Sequence, residues 1–524
     1  FDTQKMTAGV YRNGIPALLS DSSVKLYKEG RTASVSITDY KTVRTIRTNG
    51  KPDASINLDL NGESTGDEPT MTLCAILGML YNPGAKNVVN IGMGSGLTSE
   101  TILAFPDIKT LQTIEIEPVM IEAAKMFAPV VTKPFIDSRS KFVITDAKSH
   151  FASSKNKYDI IFSEPSNPWV SGIAGLFSVE FYKIAAYNLS NDGLLIQWLH
   201  LYETNEKIVA SVIKALSMVM SDYAIYTSNG GDIIIVSKKS NKLGKLSANI
   251  FNNDEIVKIL NKSGISSISD IRMLKVGEKS YLDSYMKSIT APINSDFFPY
   301  VDQNAVKARY LKSNSVHFTK NILTALPYVE ILDRKYTKFK YKSEKLNPKL
   351  KWHSKKISKS IKLFDLIRYS RTENNQFDSN DRYELDAFIV NQALKICSSR
   401  TSIWFESFKK VLLNIVPYIE QEKLISFLIQ FKKSECFNTL SPQQITWIEL
   451  LIAQTERNTK KIYILSEKLL AVSPTHRGYL LASFMLSGIA ENKYANATLA
   501  WEKYEKQVKL QDKYASLIKI FYIQ

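Results

Sequence analysis

The chemistry-bearing residues of this sequence gather around one glycine turn and three acids. Asn87-Val-Val-Asn-Ile-Gly92-Met-Gly94-Ser95-Gly96-Leu-Thr98 runs a β-branched segment into a turn with glycine at every second position. Glycine lets the backbone approach a ligand without a Cβ clash. The helix expected to follow offers free N–H groups at its start. Glu115 stands 23 residues after Gly92, at the end of the next apolar run. An acid at that distance is suited to grip ribose hydroxyls. Turn and acid together predict a nucleoside-type ligand; a tight strand–helix turn beside a solvated acid is the alternative. A third apolar run ends in Ile144-Thr145-Asp146-Ala147. Asp146 there either reads the base of the ligand or caps the next helix. A fourth gives Tyr158-Asp-Ile-Ile-Phe-Ser163-Glu164-Pro165-Ser166-Asn167-Pro168-Trp169. Its two prolines fix the loop that follows Glu164. A carboxylate held that way suits a general base or a cation ligand, with a simple cap as the alternative.

These positions need strands that end together. From Asn87 to about Lys238, short apolar runs alternate with amphipathic stretches such as Pro118–Phe127, Phe177–Leu189 and Asn205–Met220. That alternation predicts a mostly parallel sheet with helices on both faces, and its crevice opens at the carboxyl ends of the strands. The last two runs, Ala224–Thr227 and Asp232–Val236, lie close enough for an antiparallel hairpin. Before residue 66 the runs Ser23–Tyr27, Thr32–Thr38 and Thr42–Arg47 read as strands divided by turns. Residues 240–290 carry no clear signal. The stretch Asn294-Ser-Asp296-Phe-Phe-Pro299-Tyr300 either closes the domain over the site or forms a simple turn. Residues 380–524 read as successive amphipathic helices. Within 442–508 a weak 34-residue offset pairs Leu451 with Met485 and Leu465 with Leu499, which fits either tetratricopeptide-like helix pairs or an irregular bundle. The expected divisions are 1–66, 67–310, a basic linker 311–379, and 380–524.

The chain has 524 residues and a formal net charge of +17. Between Arg334 and Lys362 stand twelve Lys or Arg and one acid, Glu344, for a net of +11. The segment reads as a solvated linker or as a patch for an anionic membrane surface; no motif points to specific nucleic-acid binding. Its 44% hydrophobic content excludes a mostly disordered chain, and no apolar run is long enough to span a bilayer. Cys74, Cys397 and Cys436 are far apart in sequence and read as buried thiols of a reducing compartment. The five histidines share no spacing, so no metal site is expected.

The same segments resemble the spermidine synthase (polyamine aminopropyltransferase) family over about residues 20–240. The resemblance implies a Rossmann-like, methyltransferase-type sheet behind an N-terminal β region. It places Gly92, Gly94, Ser95 and Gly96 at the family's glycine loop and Glu115 at the ribose of decarboxylated S-adenosylmethionine. Asp146 and Ala147 fall on the adenine side, and Glu164 at the catalytic base. Ser166, Asn167 and Gln197 fall on the acceptor side. It also implies an amine acceptor and a homo-oligomer. The Ser-Glu-Pro-Ser-Asn-Pro-Trp loop and the Arg-Thr-Ala-Ser-Val start resemble a subgroup fused to a membrane transporter-like region. Because the sequence starts at Phe1, this predicts a cytoplasmic domain tethered through a segment before that residue. Four departures stand out: Ser95 and Glu164 replace the family's aspartates, Asn167 removes an anionic contact for a polyamine, and the gate segment Asp67-Glu68-Pro69-Thr70-Met71 has no tyrosine where the family usually places one. The nucleoside half thus looks kept and the amine half altered. Two other readings stay open. One is a methyltransferase using S-adenosylmethionine itself. The other is a non-catalytic scaffold whose helical C-terminal region binds a protein partner.

Overall fold

A computed structural model describes residues 2–10, 14, 16–165, 168–169, 172–320, 331, 353–369, 378, 380–397, 401–416 and 418–508. Two compact units divide between Thr319 and Lys320. The first is mixed α/β and the second is helical among its described residues.

The first unit opens with an antiparallel meander, β1 (Ser22–Glu29), β2 (Ser34–Tyr40), β3 (Val43–Thr48) and β4 (Lys51–Asn57). The sequence analysis missed β4, whose start carries Pro52 and Asp53, both poor strand formers. It survives as the edge of the sheet, with Pro52 opposite Arg47 beside a register shift, where a missing N–H is tolerated. Val35, Ile37, Ile46 and Ile56 alternate onto one face of this sheet. They share a core with Met93 and Leu97 of the glycine turn and with Met120 and Phe127. The small sheet is therefore packed directly against the elements that carry the predicted ligand turn.

The large sheet follows the order β12-β10-β11-β9-β8-β5-β6-β7. Its strands are β5 (Asn87–Ile91), β6 (Thr110–Glu115), β7 (Ser140–Ile144), β8 (Tyr158–Ser163), β9 (Leu189–His200), β10 (Asp222–Thr227), β11 (Asp232–Lys238) and β12 (Lys275–Glu278). The five strands β7, β6, β5, β8 and β9 run parallel. β11 and β10 continue the sheet antiparallel, as the sequence suggests. The edge strand β12 comes from the stretch without sequence signal and pairs with β10 through only three residues. Its burial, with Val276 3% exposed, comes from tertiary packing rather than from pattern. The chain moves from β5 to β6 on one side and returns to β8 on the other. That reversal opens a crevice at the carboxyl ends of β5 and β8.

Asn294 settles the role of the Asn294–Tyr300 stretch. It is buried, donates to the carbonyls of Ala174 and Phe177, and accepts from the N–H of Val301. The stretch thus braces Ile173–Phe177, downstream of the Glu164 loop.

The second unit begins its described helices with His353–Arg368, inside the basic stretch. Residues 334–352 of that stretch lie outside the described residues. Packed rings of Trp404, Phe408 and Phe431 form part of its core. Helices start at Pro442, Thr459, Arg477 and Tyr494. Both pairs therefore repeat after 35 residues (477 − 442 and 494 − 459), not 34. Arg457 and Asn492, also 35 apart, share the left-handed conformation that turns each pair. Offset by 35, Leu450 matches Met485, and both are buried.

Cys397 and Cys436 are joined in a disulfide, which corrects the expectation of free thiols; Cys74 is free and buried. The helix Arg382–Ile396 ends at Cys397, and a short helix brings Cys436 against it. Sequence separation hides this proximity. Closing a loop of 39 residues removes entropy from the unfolded chain worth about 4 kcal/mol. Cys397→Ser should lower the stability of the helical unit by up to that amount, read by denaturant unfolding. Equal midpoints for the wild type with and without reductant would argue against the bond.

Candidate active site

The crevice is built from strand ends. β5 delivers the glycine turn, in which Gly92, Gly94 and Gly96 all have positive φ (93°, 50° and 84°). Only glycine adopts this sequence of conformations without strain. A Cβ on Gly94 would meet nothing within 4 Å, and one on Gly92 only the Glu164 carbonyl at 3.8 Å. The space over this part of the turn is open. Gly96 differs: its Cβ would stand 2.7 Å from Met93 Cε and 2.9 Å from Val131 Cγ1. Gly96→Ala should therefore cost about 2 kcal/mol or more in stability, strain and clash together. Gly94→Ala should cost about 1 kcal/mol, yet weaken nucleoside binding more, because its methyl fills the open space. Thermal unfolding and ligand titration of the two variants check this opposite ranking.

β6 delivers Glu115 to the same turn. Its Oε2 accepts from the Met93 N–H at 2.8 Å and its Oε1 from the Glu117 N–H at 2.9 Å. The side chain is buried, and burial raises its pKa against the lowering effect of those bonds. Each oxygen keeps a lone pair for a sugar hydroxyl. The predicted pairing of turn and acid is thus brought together. Asp146 caps the helix Ala147–Ser153 through Ser149 N–H at 2.8 Å, and its carboxylate is exposed at the carboxyl end of β7. Ala147 is buried beside it.

β8 delivers Glu164. Its backbone N–H donates to Ile91 O, which ties it to β5. Its Oε2 accepts from Thr98 Oγ1 at 2.9 Å, while Oε1 is buried with no hydrogen-bond partner among the described residues. Burial pushes its pKa up to about 7, opposed only by the Thr98 bond. Thr98 Oγ1 also lies 3.2 Å from Met71 O, and Ser95 Oγ lies 3.1 Å from Met71 Sδ. The turn, the acid and the first turn of the helix Glu68–Tyr81 are thereby one contact network.

The remaining expectations fall differently. Ser166 and Asn167 lie outside the described residues. Gln197 is fully buried with its amide already used: it accepts from Tyr182 Oη at 2.6 Å and donates to Leu176 O at 2.9 Å. Among the described residues no group of three or more His, Cys, Asp or Glu could hold a metal ion.

Sequence reasoning missed two acids. Glu117, two residues beyond Glu115, accepts from the Thr32 N–H at 2.7 Å and from Thr32 Oγ1 at 3.0 Å. It anchors the β1–β2 turn to the end of β6. Asp232 opens β11 directly opposite His200 of β9. No sequence spacing links it to Glu164; only the sheet order does.

Residues 72–243 match the spermine/spermidine synthase domain family. Over 173 residues the chain is 27% identical to a polyamine aminopropyltransferase of Methanocaldococcus jannaschii, covering 32% of this chain and 59% of that protein. It is 31% identical over 118 residues to a polyamine aminopropyltransferase of Clostridium botulinum, covering 22% of this chain and 41% of that protein. The chain thus spans about half the length of these curated relatives. Among solved structures, a spermidine synthase from Thermotoga maritima aligns with 41% of this chain and 73% of its own at 19% identity and a TM-score of 0.35. Among the described residues no helix is long and apolar enough to cross a membrane.

Proposed function

We propose that the first unit transfers an aminopropyl group from decarboxylated S-adenosylmethionine to an amine. The observation that carries this reading is Glu164, a buried carboxyl with an unpartnered oxygen and a pKa of about 7, facing the turn that Glu115 grips. Gly92–Gly96 and Glu115 would hold the adenosine, with Asp146 on its base side. An incoming ammonium gives its proton to the Glu164 carboxylate. The freed nitrogen lone pair forms a bond to the carbon beside the sulfonium. The carbon–sulfur bond breaks, its electron pair stays on sulfur, and a neutral thioether leaves. A base with a pKa near the working pH is ionised often enough to accept and holds a proton weakly enough to release it. Holding amine and carbon in line supplies much of the remaining rate.

Mass spectrometry after incubation with either donor and a panel of amines tests this. The expected products are an aminopropylated amine and 5′-methylthioadenosine from the decarboxylated donor. A methylated acceptor and S-adenosylhomocysteine would instead establish the methyltransferase reading, which the uncharged Ser95 favours. No binding of either donor at millimolar concentration would leave the scaffold reading.

A further inference from the structure

The sequence carries Asn167 where the resemblance expects an acid, and among the described residues the fold sets another carboxylate, Asp232, beside the helix that contacts the Glu164 partner Thr98. Asp232 is 5% exposed, at the start of β11. Its Oδ2 accepts from Asn229 Nδ2 at 2.7 Å and Thr70 Oγ1 at 3.2 Å. Its Oδ1 is buried with no hydrogen-bond partner among the described residues. Burial raises its pKa, against lowering contacts from Asn229, from the nearby Trp198 indole N–H and from Thr70.

The helix Glu68–Tyr81 sets the relation of Asp232 to Glu164. Thr70 touches Asp232, and the next residue, Met71, touches Thr98, which in turn touches Glu164. One turn deeper, the Cys74 thiol feels the charge of both carboxylates. The two acids therefore flank one helical turn. Neither makes an ion pair among the described residues. Asp67, at the start of that helix, adds further negative charge near Asp232. His200 lies opposite Asp232 in the ladder, with Trp169, Trp198 and Tyr202 at 5.1, 6.2 and 4.7 Å from it, and the Trp169 ring already carries the Arg309 guanidinium at 5.3 Å and the Lys51 ammonium at 5.9 Å. Buried carboxylates without counter-ions are unfavourable unless a cation arrives.

We propose that Asp232 anchors the second, positively charged end of the acceptor, doing from β11 what an acidic residue at Asn167 would do from the loop. This rests on the aminopropyl reading and adds a specificity residue to it. A cation bound between the two acids loses water but gains a charged hydrogen bond to Oδ1, so an acceptor with two amino groups is preferred over one with a single amino group.

The test compares 1,4-diaminobutane with n-butylamine, equal in length but lacking the second nitrogen. Calorimetry and steady-state kinetics are run on the wild type, Asp232→Asn and Asp232→Glu. The wild type should prefer the diamine at least tenfold in kcat/KM. Asp232→Asn should raise the diamine KM at least tenfold, change kcat little, and bring the preference close to one. Asp232→Glu, which keeps the charge, should restore part of that preference. Equal loss for both amines in Asp232→Asn would overturn the proposal and leave a structural residue. Equal binding of the two amines to the wild type would overturn it as well. If the diamine binds selectively through Asp232 but no aminopropyl group is transferred, the anchor stands and the aminopropyl reading falls.

Discussion

Replacing Glu164 by Gln should stop turnover and make the protein more stable at the same time. The two effects share one cause. Burial raises this carboxyl to about 7 from an ordinary value of 4.5. Between those two pH values the native state holds a proton that the unfolded chain has lost. Stability therefore falls as pH rises through that window, because the native state binds more protons there. The difference of about 2.5 units corresponds to roughly 3 kcal/mol once pH exceeds 7. Glutamine has nearly the same shape and no charge to bury. At pH 8 the variant should gain up to about that amount, and at pH 4 almost nothing. Its kcat should fall by about a thousandfold or more, since an amide cannot take the ammonium proton. Nucleoside affinity should stay within about threefold, because Glu115 and the glycine turn are untouched. In the wild type, kcat/KM should rise with pH through about 7 as the base ionises. A Gln variant with normal turnover would remove Glu164 from the chemistry. A variant equally stable at pH 4 and pH 8 relative to wild type would show that its carboxyl is not held neutral.

Glu115→Gln should weaken nucleoside binding about a hundredfold, for a different reason. Both oxygens of Glu115 already accept buried backbone N–H groups from Met93 and Glu117. An amide can accept only one of them and turns an NH2 group towards the other. One N–H is left unsatisfied, at a cost of about 1–3 kcal/mol in stability. A sugar hydroxyl would also lose its charged acceptor. Two such hydrogen bonds at about 1.5 kcal/mol each amount to roughly a hundredfold in affinity. Titration with 5′-methylthioadenosine measures this directly. A Kd within threefold of wild type would mean that the carboxylate only stitches the turn together.

The two acids differ in how far the sequence announces them. Glu115 is legible because its partner is local in the unit: a strand, a helix and a second strand fix its distance from Gly92. The alternation of apolar runs shows the parallel strands for the same reason, since each is long, regular and bounded by turn residues. Gln197 shows the limit of this reasoning. Its place at the end of β9 is visible, but which face its amide points to is not. In the fold it faces Tyr182 and Leu176 and is used up there. Strands β4 and β12 escape notice because proline, aspartate and glycine weaken their local signal while sheet pairing holds them.

The sequence by itself determined the local devices: a turn that only glycine can make, an acid 23 residues after Gly92, a carboxylate closing an apolar strand. These depend on backbone sterics and on periodicity, which short stretches of chain already contain. Only the tertiary structure decided which groups meet across long separations. It set Thr98 on Glu164, Thr70 on Asp232, Thr32 on Glu117 and Cys397 on Cys436. It also decided the protonation of Glu164, because a carboxyl's pKa follows how much water surrounds it, and that is fixed only when the sheets and helices have closed around it.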